Sequence, residues 1–293
     1  MLASSAMPFG KGAFRLGLLV SLAWGCTESA KISERKALSH IERLATLADN
    51  DVEEVRRGLP RGAKALGQIW EGKGDPHAEP GSVRRALDRV RGDDRDLEIA
   101  KSTFFALADD QGIVVRSDQE PDQLAGKSLV AAYPTLVKVL AGEPTELRGS
   151  MPETAGARMG GDEQWLAAAP VRDAKGVVRG MYVSGWSLRR FAYHLEETLK
   201  HDLISEALKS GDSRTKQPLV YVFVFAGPKV YGAPVTPLVN AETLEGLGLG
   251  GKTENGAVFH QPIEITGRSF GLAAKRATKM GADVGVAVLR SET

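Results

Sequence analysis

The chain has 293 residues, of which 42 % are hydrophobic and 6 % aromatic, with 38 Lys and Arg against 37 Asp and Glu, a formal net charge of +1. A chain of this length and apolar content can bury its own core, while its near-neutral charge excludes bulk electrostatic attraction to nucleic acid. A single cysteine, Cys26, excludes an internal disulfide.

Lys11 and Arg15 precede an apolar run, Leu16 to Gly25, which ends at Cys26 and Thr27. The run is too short for a membrane span, which needs roughly 20 apolar residues. Basic residues, a short apolar stretch, small Gly25 and then a cysteine resemble the signal peptide of a bacterial lipoprotein. The resemblance implies cleavage of residues 1–25, lipidation of Cys26, and a mature protein tethered to a membrane in the cell envelope. Translation would start at Met1 or Met7. Cleavage reduces the 38 basic residues to 36, against 37 acidic ones. Thr27 rather than Asp after the cysteine favours the outer membrane, facing the periplasm or the cell surface. The same residues also allow a secretory signal cut elsewhere or an uncleaved anchor.

Residues 26–99 form a helical N-terminal region. Leu38, Ile41, Leu44, Ala48, Val52, Val55 and Leu59 recur at three/four spacing with charges between them, which predicts a long helix from residue 27 to about 69. Its stripe can pack on the rest of the chain, or segment 32–59 can pair with a second copy as a homodimer. Gly72 to Gly81 reads as a loop. Ser82 is placed to cap a second helix carrying Val83, Leu87 and Val90.

From Phe104 the apolar period changes to two. Phe104–Asp109 and Ile113–Arg116 read as strands around the turn Asp109-Asp-Gln-Gly112. Short helices are expected over 130–140 and a Gly-rich loop over 149–161. Trp165–Val171 and Val177–Trp186 read as a second hairpin, joined by Asp173-Ala-Lys-Gly176. Both turns place an acid where its side chain can bond the following amides, and a Gly where the backbone turns. Residues 187–213 form a connecting helix, with Leu188, Phe191, Leu195, Leu199, Leu203 and Leu208 on its apolar face. Val220–Phe225, Val230–Tyr231, 256–265, 269–276 and 283–290 read as strands of a second sheet, with Thr266-Gly-Arg268 as a hairpin turn and a helical turn over Thr243–Leu249. The order of elements repeats between 100–186 and 214–293.

Three segments carry a family resemblance. Leu107-Ala-Asp-Asp-Gln-Gly-Ile-Val-Val-Arg-Ser117, Gly126-Lys-Ser-Leu129 and Ala167-Ala-Ala-Pro-Val-Arg-Asp-Ala-Lys-Gly-Val-Val-Arg-Gly180 resemble the Cache superfamily, the extracytoplasmic relatives of PAS domains. The resemblance covers about 100–186 well and 218–290 thinly. It implies an α+β fold: a long N-terminal helix followed by two PAS/Cache-like modules, each an antiparallel sheet with flanking helices. The second module is the smaller. The resemblance also implies a ligand pocket in the first module, between the sheet and the loop that covers it, for an amino acid, carboxylate, amine or purine. Leu166 stands where the family's amino-acid motif carries Tyr.

Four residues are candidates for that pocket. Arg116 can pair a carboxylate bidentately, or stand solvated at a strand end. Trp165 can wall the pocket, or pack in the sheet. Tyr182 and Trp186 share one face of a strand, and can meet a ligand or fill the groove against the long helix. His40, His77, His194, His201 and His260 are scattered without metal-ligand spacing, and no nucleophile, base and orienter assemble. No cofactor, metal or enzymatic activity is therefore expected. The chain is expected to lack an output domain, so a sensor of this kind would signal through a separate envelope or membrane protein. The alternative is a structural or docking lipoprotein whose Cache-like scaffold holds no ligand.

Overall fold

The computed structural model describes residues 16–71, 75–100, 102–151, 162–209 and 217–292, with side chains from Glu28 onward. Helix α1, Leu16–Leu66, runs for 51 residues. The backbone of Cys26 lies within it. The Cys26 side chain, and the basic segment before the apolar run, lie outside the described residues.

The three/four spacing of α1 buries Ala37, Ile41, Leu44, Ala48, Val52, Val55, Leu59, Ala63 and Leu66 along one stripe. Each fully buried Val, Leu or Ile contributes about 1.5–3 kcal/mol. That burial carries the helix through Pro60, where a proline costs about 3 kcal/mol in helix propensity. A 3₁₀ turn, Gly67–Glu71, follows. Helix α2 is Pro80–Asp93 and α3 is Arg95–Ile99. The expected cap at Ser82 is not formed. The helix starts three residues earlier, with Glu79 at the cap position, because Pro80 has a preset φ and no N–H to leave unpaired in the first turn. Asp94 caps α3, accepting from the Asp96 and Leu97 amides.

The first sheet contains β1 Phe104–Asp109, β2 Val114–Ser117, β3 Thr145–Met151, β4 Asp162–Arg172 and β5 Val178–Ser187, in the order β2-β1-β5-β4-β3. Helices α4, Leu129–Ala132, and α5, Val137–Leu140, lie between β2 and β3 in the chain. Helix α6, Leu188–Lys209, leads out of β5. The second sheet contains β6 Leu219–Ala226, β7 Lys229–Gly232, β8 Phe259–Ile265, β9 Arg268–Arg276 and β10 Val284–Ser291, in the order β7-β6-β10-β9-β8. Helices α7, Leu238–Gly246, and α8, Leu249–Lys252, separate β7 from β8. All pairings are antiparallel. Strand for strand, both sheets run second, first, fifth, fourth, third, so the repeat read from the sequence pattern is a repeat of topology.

The turns form for local reasons. Asp109 Oδ1 accepts from the Gln111 and Ile113 amides, each at 2.9 Å. Asp173 Oδ1 accepts from the Lys175 and Val177 amides at 2.9 and 3.0 Å. Thr266 and Gly267, with φ of 50° and 76°, make the left-handed pair that a two-residue hairpin requires. Residues 149–151, expected to open a loop, instead end strand β3, which pairs along β4 from Thr145↔Ala168 to Met151↔Asp162.

Helix α1 lies across one face of both sheets, and one continuous core fills the space between. The approach is close. A Cβ on Gly271 of β9 would overlap the α1 backbone at Ser33 and Glu34, and one on Gly62 of α1 would come within 2.8 Å of the Tyr182 ring. This packing takes up the apolar stripe of α1 within the chain. The stripe residues named above are buried in this core, while Leu38 and Leu47 are partly buried against it. The far face of each sheet carries its own smaller core, under α4 and α5 in the first module and under α7 and α8 in the second. Among the described residues, no helix is long and apolar enough to cross a membrane.

Candidate ligand site

The far face of the first sheet is where a pocket under short helices would lie. Its floor is Phe104, Ala106, Ala108, Leu166, Ala168, Met181 and Val183, and its roof is Leu129, Tyr133, Leu136 and Val139. Two rings close over glycines. Phe104 covers Gly185, where a Cβ would overlap the ring, and Tyr133 covers Gly149, where a Cβ would come within 2.8 Å. The Tyr133 hydroxyl is 3.5 Å from the Gly149 carbonyl, to which it donates.

One polar residue interrupts this face. Gln164 of β4 alternates in register with Leu166 and Ala168 and stands opposite Gly149 on β3 and Ser187 on β5. It is 0 % exposed, and neither its amide oxygen nor its amide nitrogen has a hydrogen-bond partner among the described residues. An amide stripped of water without a partner costs about 1–3 kcal/mol. A primary amide both donates and accepts, so this position suits a small molecule carrying both functions.

The opposite side of the same strands carries a polar junction to the second module. Arg148 of β3 holds Asp283 through two bonds of 2.8 Å. Its Nε is 3.3 Å from Glu163, and Glu163 accepts from the Tyr231 hydroxyl of β7 at 2.6 Å. Arg148 and Glu163 each immediately precede a residue of the far face, Gly149 and Gln164. The Arg148 guanidinium holds the Asp283 carboxyl below the usual aspartate range. Burial first, and the bond to Glu163 second, push the Tyr231 phenol above its ordinary value.

The four candidates drawn from the sequence do not converge on the far face. Trp165, Tyr182 and Trp186 are each within 1 % of full burial, in the core against α1. Trp165 and Trp186 have ring centroids 5.4 Å apart, Trp186 stacks on Phe191 at 4.8 Å, and Tyr182 stacks on Phe105 at 5.7 Å. These rings fill the groove against the long helix, because their positions alternate with the far-face residues along each strand. Burial pushes the Tyr182 phenol far above its ordinary value. Arg116 is held by Glu120, and by Asp122 at 3.3 Å, so its charge is already matched within the chain. Gln164 was not visible as a candidate in the sequence, where the strand reads as starting at Trp165. Its signal is a single polar residue at the alternate position of an otherwise apolar strand face.

Among the described residues, no group of three His, Cys, Asp or Glu side chains could hold a metal ion.

The fold is α+β: a long N-terminal helix followed by two modules, each a five-stranded antiparallel sheet with flanking helices, a PAS/Cache-like fold. A domain of a sensory box/GGDEF family protein from Vibrio parahaemolyticus matches 90 % of this chain and 98 % of its own at 8 % identity, with a TM-score of 0.51. The ligand-binding domain of the Pseudomonas aeruginosa PAO1 amino-acid chemoreceptor PctB, in complex with L-Gln, matches 89 % of this chain and 91 % of its own at 15 % identity, with a TM-score of 0.48. An extracellular ligand-binding receptor from Desulfohalobium retbaense DSM5692 matches 87 % of this chain at 10 % identity and a TM-score of 0.46, and this chain spans 40 % of that receptor. No protein-family model matches the chain, and no curated protein does.

Proposed function

We propose that this chain is a non-enzymatic sensor of the bacterial cell envelope that binds a small polar metabolite on the far face of its first sheet. Gln164 carries the reading. A fully buried amide without a partner among the described residues is a standing cost in the free protein, and a ligand that meets it removes that cost on binding. The ligand would be a compact amino acid, carboxylate, amine or purine able to donate to the amide oxygen and accept from the amide nitrogen. Support for an extracytoplasmic, lipid-anchored protein comes from the segment ending at Cys26. A tethered sensor of this form would pass its state to a separate membrane or envelope protein. The ion pair between Arg148 and Asp283 gives the two modules a rigid link through which occupancy at Gln164 can be felt.

A second reading rests on Phe104 over Gly185 and Tyr133 over Gly149. Rings in those places fill much of the far face, and a filled pocket fits a structural or docking lipoprotein with a Cache-like scaffold. A thermal-shift screen of amino acids, carboxylates, amines and purines separates the two. A ligand at 100 times its dissociation constant adds about 2.7 kcal/mol. The sensor reading expects a hit that Gln164→Leu abolishes, whereas a docking lipoprotein shows no hit in either protein.

A further inference from the structure

A concave site lies where the two modules meet. It is an open groove of about 570 Å³ between α6 and the loop after β7, lined by Ser102, Arg190, Tyr193, His194, Glu197, Pro234 and Val235. That volume is in the range of small-molecule sites, which combine apolar walls with a few placed polar groups. The apolar wall is unusually bare for a folded surface: Val235 is 79 % exposed and Tyr193 45 %.

The polar groups lean one way. The Arg190 guanidinium forms no ion pair or hydrogen bond among the described residues; only its backbone amide is engaged, donating to Ser187 Oγ. Ser102 Oγ is removed from solvent and has no partner among the described residues. His194 lines the groove with Nε2 3.3 Å from Oδ2 of Asp51, buried on α1, and its ring stacks on Phe191 at 6.4 Å. The one acid lining the groove, Glu197, is already engaged by Lys200 at 3.1 Å. An unmatched guanidinium and a spare hydroxyl donor beside an aromatic ring, a proline and a valine suit a carboxylate on an apolar body.

We propose that this groove binds a small monocarboxylate with an aromatic or branched apolar body: the carboxylate on Arg190 and Ser102, the body on Tyr193, Pro234 and Val235. The site is separate from the far face of the first sheet and does not depend on the reading of Gln164. Because α6 leaves the first sheet directly and the loop 233–237 belongs to the second module, a molecule seated here touches both.

The test is calorimetric titration of the purified full chain with phenylacetate, and with 2-phenylethylamine as a cation of nearly the same shape. Phenylacetate binds and the amine does not. Arg190→Ala, on an exposed helix face, weakens phenylacetate about tenfold or more, the loss expected for one charge-assisted contact. Val235→Asp weakens it as well, and Gln164→Leu leaves it unchanged. The proposal is overturned by absence of phenylacetate binding, by equal binding of the amine, or by unchanged affinity in Arg190→Ala. Loss of binding in Gln164→Leu also overturns it, by moving the carboxylate to the first sheet.

Discussion

Arg148 of the first sheet and Asp283 of the turn before β10 are joined by two parallel bonds of 2.8 Å. Together with the Tyr231–Glu163 bond and the helices α1 and α6, this pair holds β3 against the second module. Side-chain exposures of 25 % and 45 % leave the pair partly screened, and its coupling energy in a double-mutant cycle should be about 0.5–1 kcal/mol. An additive pair of Arg148→Ala and Asp283→Ala would remove the link from the account.

The same pair sets a pH dependence. Arg148 lowers the Asp283 carboxyl in the folded state. The stabilisation is therefore fully present above the ordinary aspartate value of about 3.9, and is lost as pH falls through the lowered folded value. Urea unfolding should show wild type more stable than Asp283→Asn at pH 7, with the gap closing on acidification below about pH 4. A gap that persists to pH 2 assigns the effect to something other than this carboxylate.

Gln164→Leu should stabilise the ligand-free protein. It replaces an amide without partners by an apolar side chain of similar volume among Leu166, Ala168 and Tyr133, relieving about 1 kcal/mol. That corresponds to a rise in Tm of about 2–4 °C. A fall in Tm means the amide is satisfied in solution.

Gly271→Ala should be among the most damaging single-methyl changes. The added carbon meets the α1 backbone at Ser33 and Glu34, and backbone cannot turn aside as a side chain can. Overpacking of this kind costs about 1–3 kcal/mol. Gly126→Ala, with open space around it but a φ of 78°, should cost about 1 kcal/mol through backbone strain alone. A Gly271→Ala protein as stable as wild type would mean that α1 does not lie this close to β9.

Cys26→Ser should release the chain from membranes. Fractionation and metabolic labelling with a palmitate analogue should find wild type labelled and sedimenting, and the variant unlabelled. Equal labelling of both contradicts the lipid anchor.

Much of the fold was legible because short-range chemistry specifies it. Phe104–Ala108 and Ala167–Val171 are short apolar runs bounded by turn residues, Asp109 and Asp173 announce their turns, and the α1 stripe runs at helical spacing from Leu38 to Leu59. Strand β3 was not legible, since Thr145–Ser150 is polar and becomes a strand only by pairing with β4. The site failed for a related reason. Large aromatics attract attention in a sequence, yet Trp165, Tyr182 and Trp186 occupy the alternate face from Gln164, and only the register places that amide among apolar neighbours. The groove at Arg190 joins residues from β1's approach, α6 and the loop after β7, and no local pattern connects them.

The central claim is that Gln164 meets a ligand. An experimental structure of the protein, purified from its native envelope or soaked with the best hit of the metabolite screen, tests it most directly. The account predicts a small molecule on the far face of the first sheet with both atoms of the Gln164 amide hydrogen-bonded to it. A far face closed by Phe104 and Tyr133, with the Gln164 amide bonded to the chain itself, would contradict it.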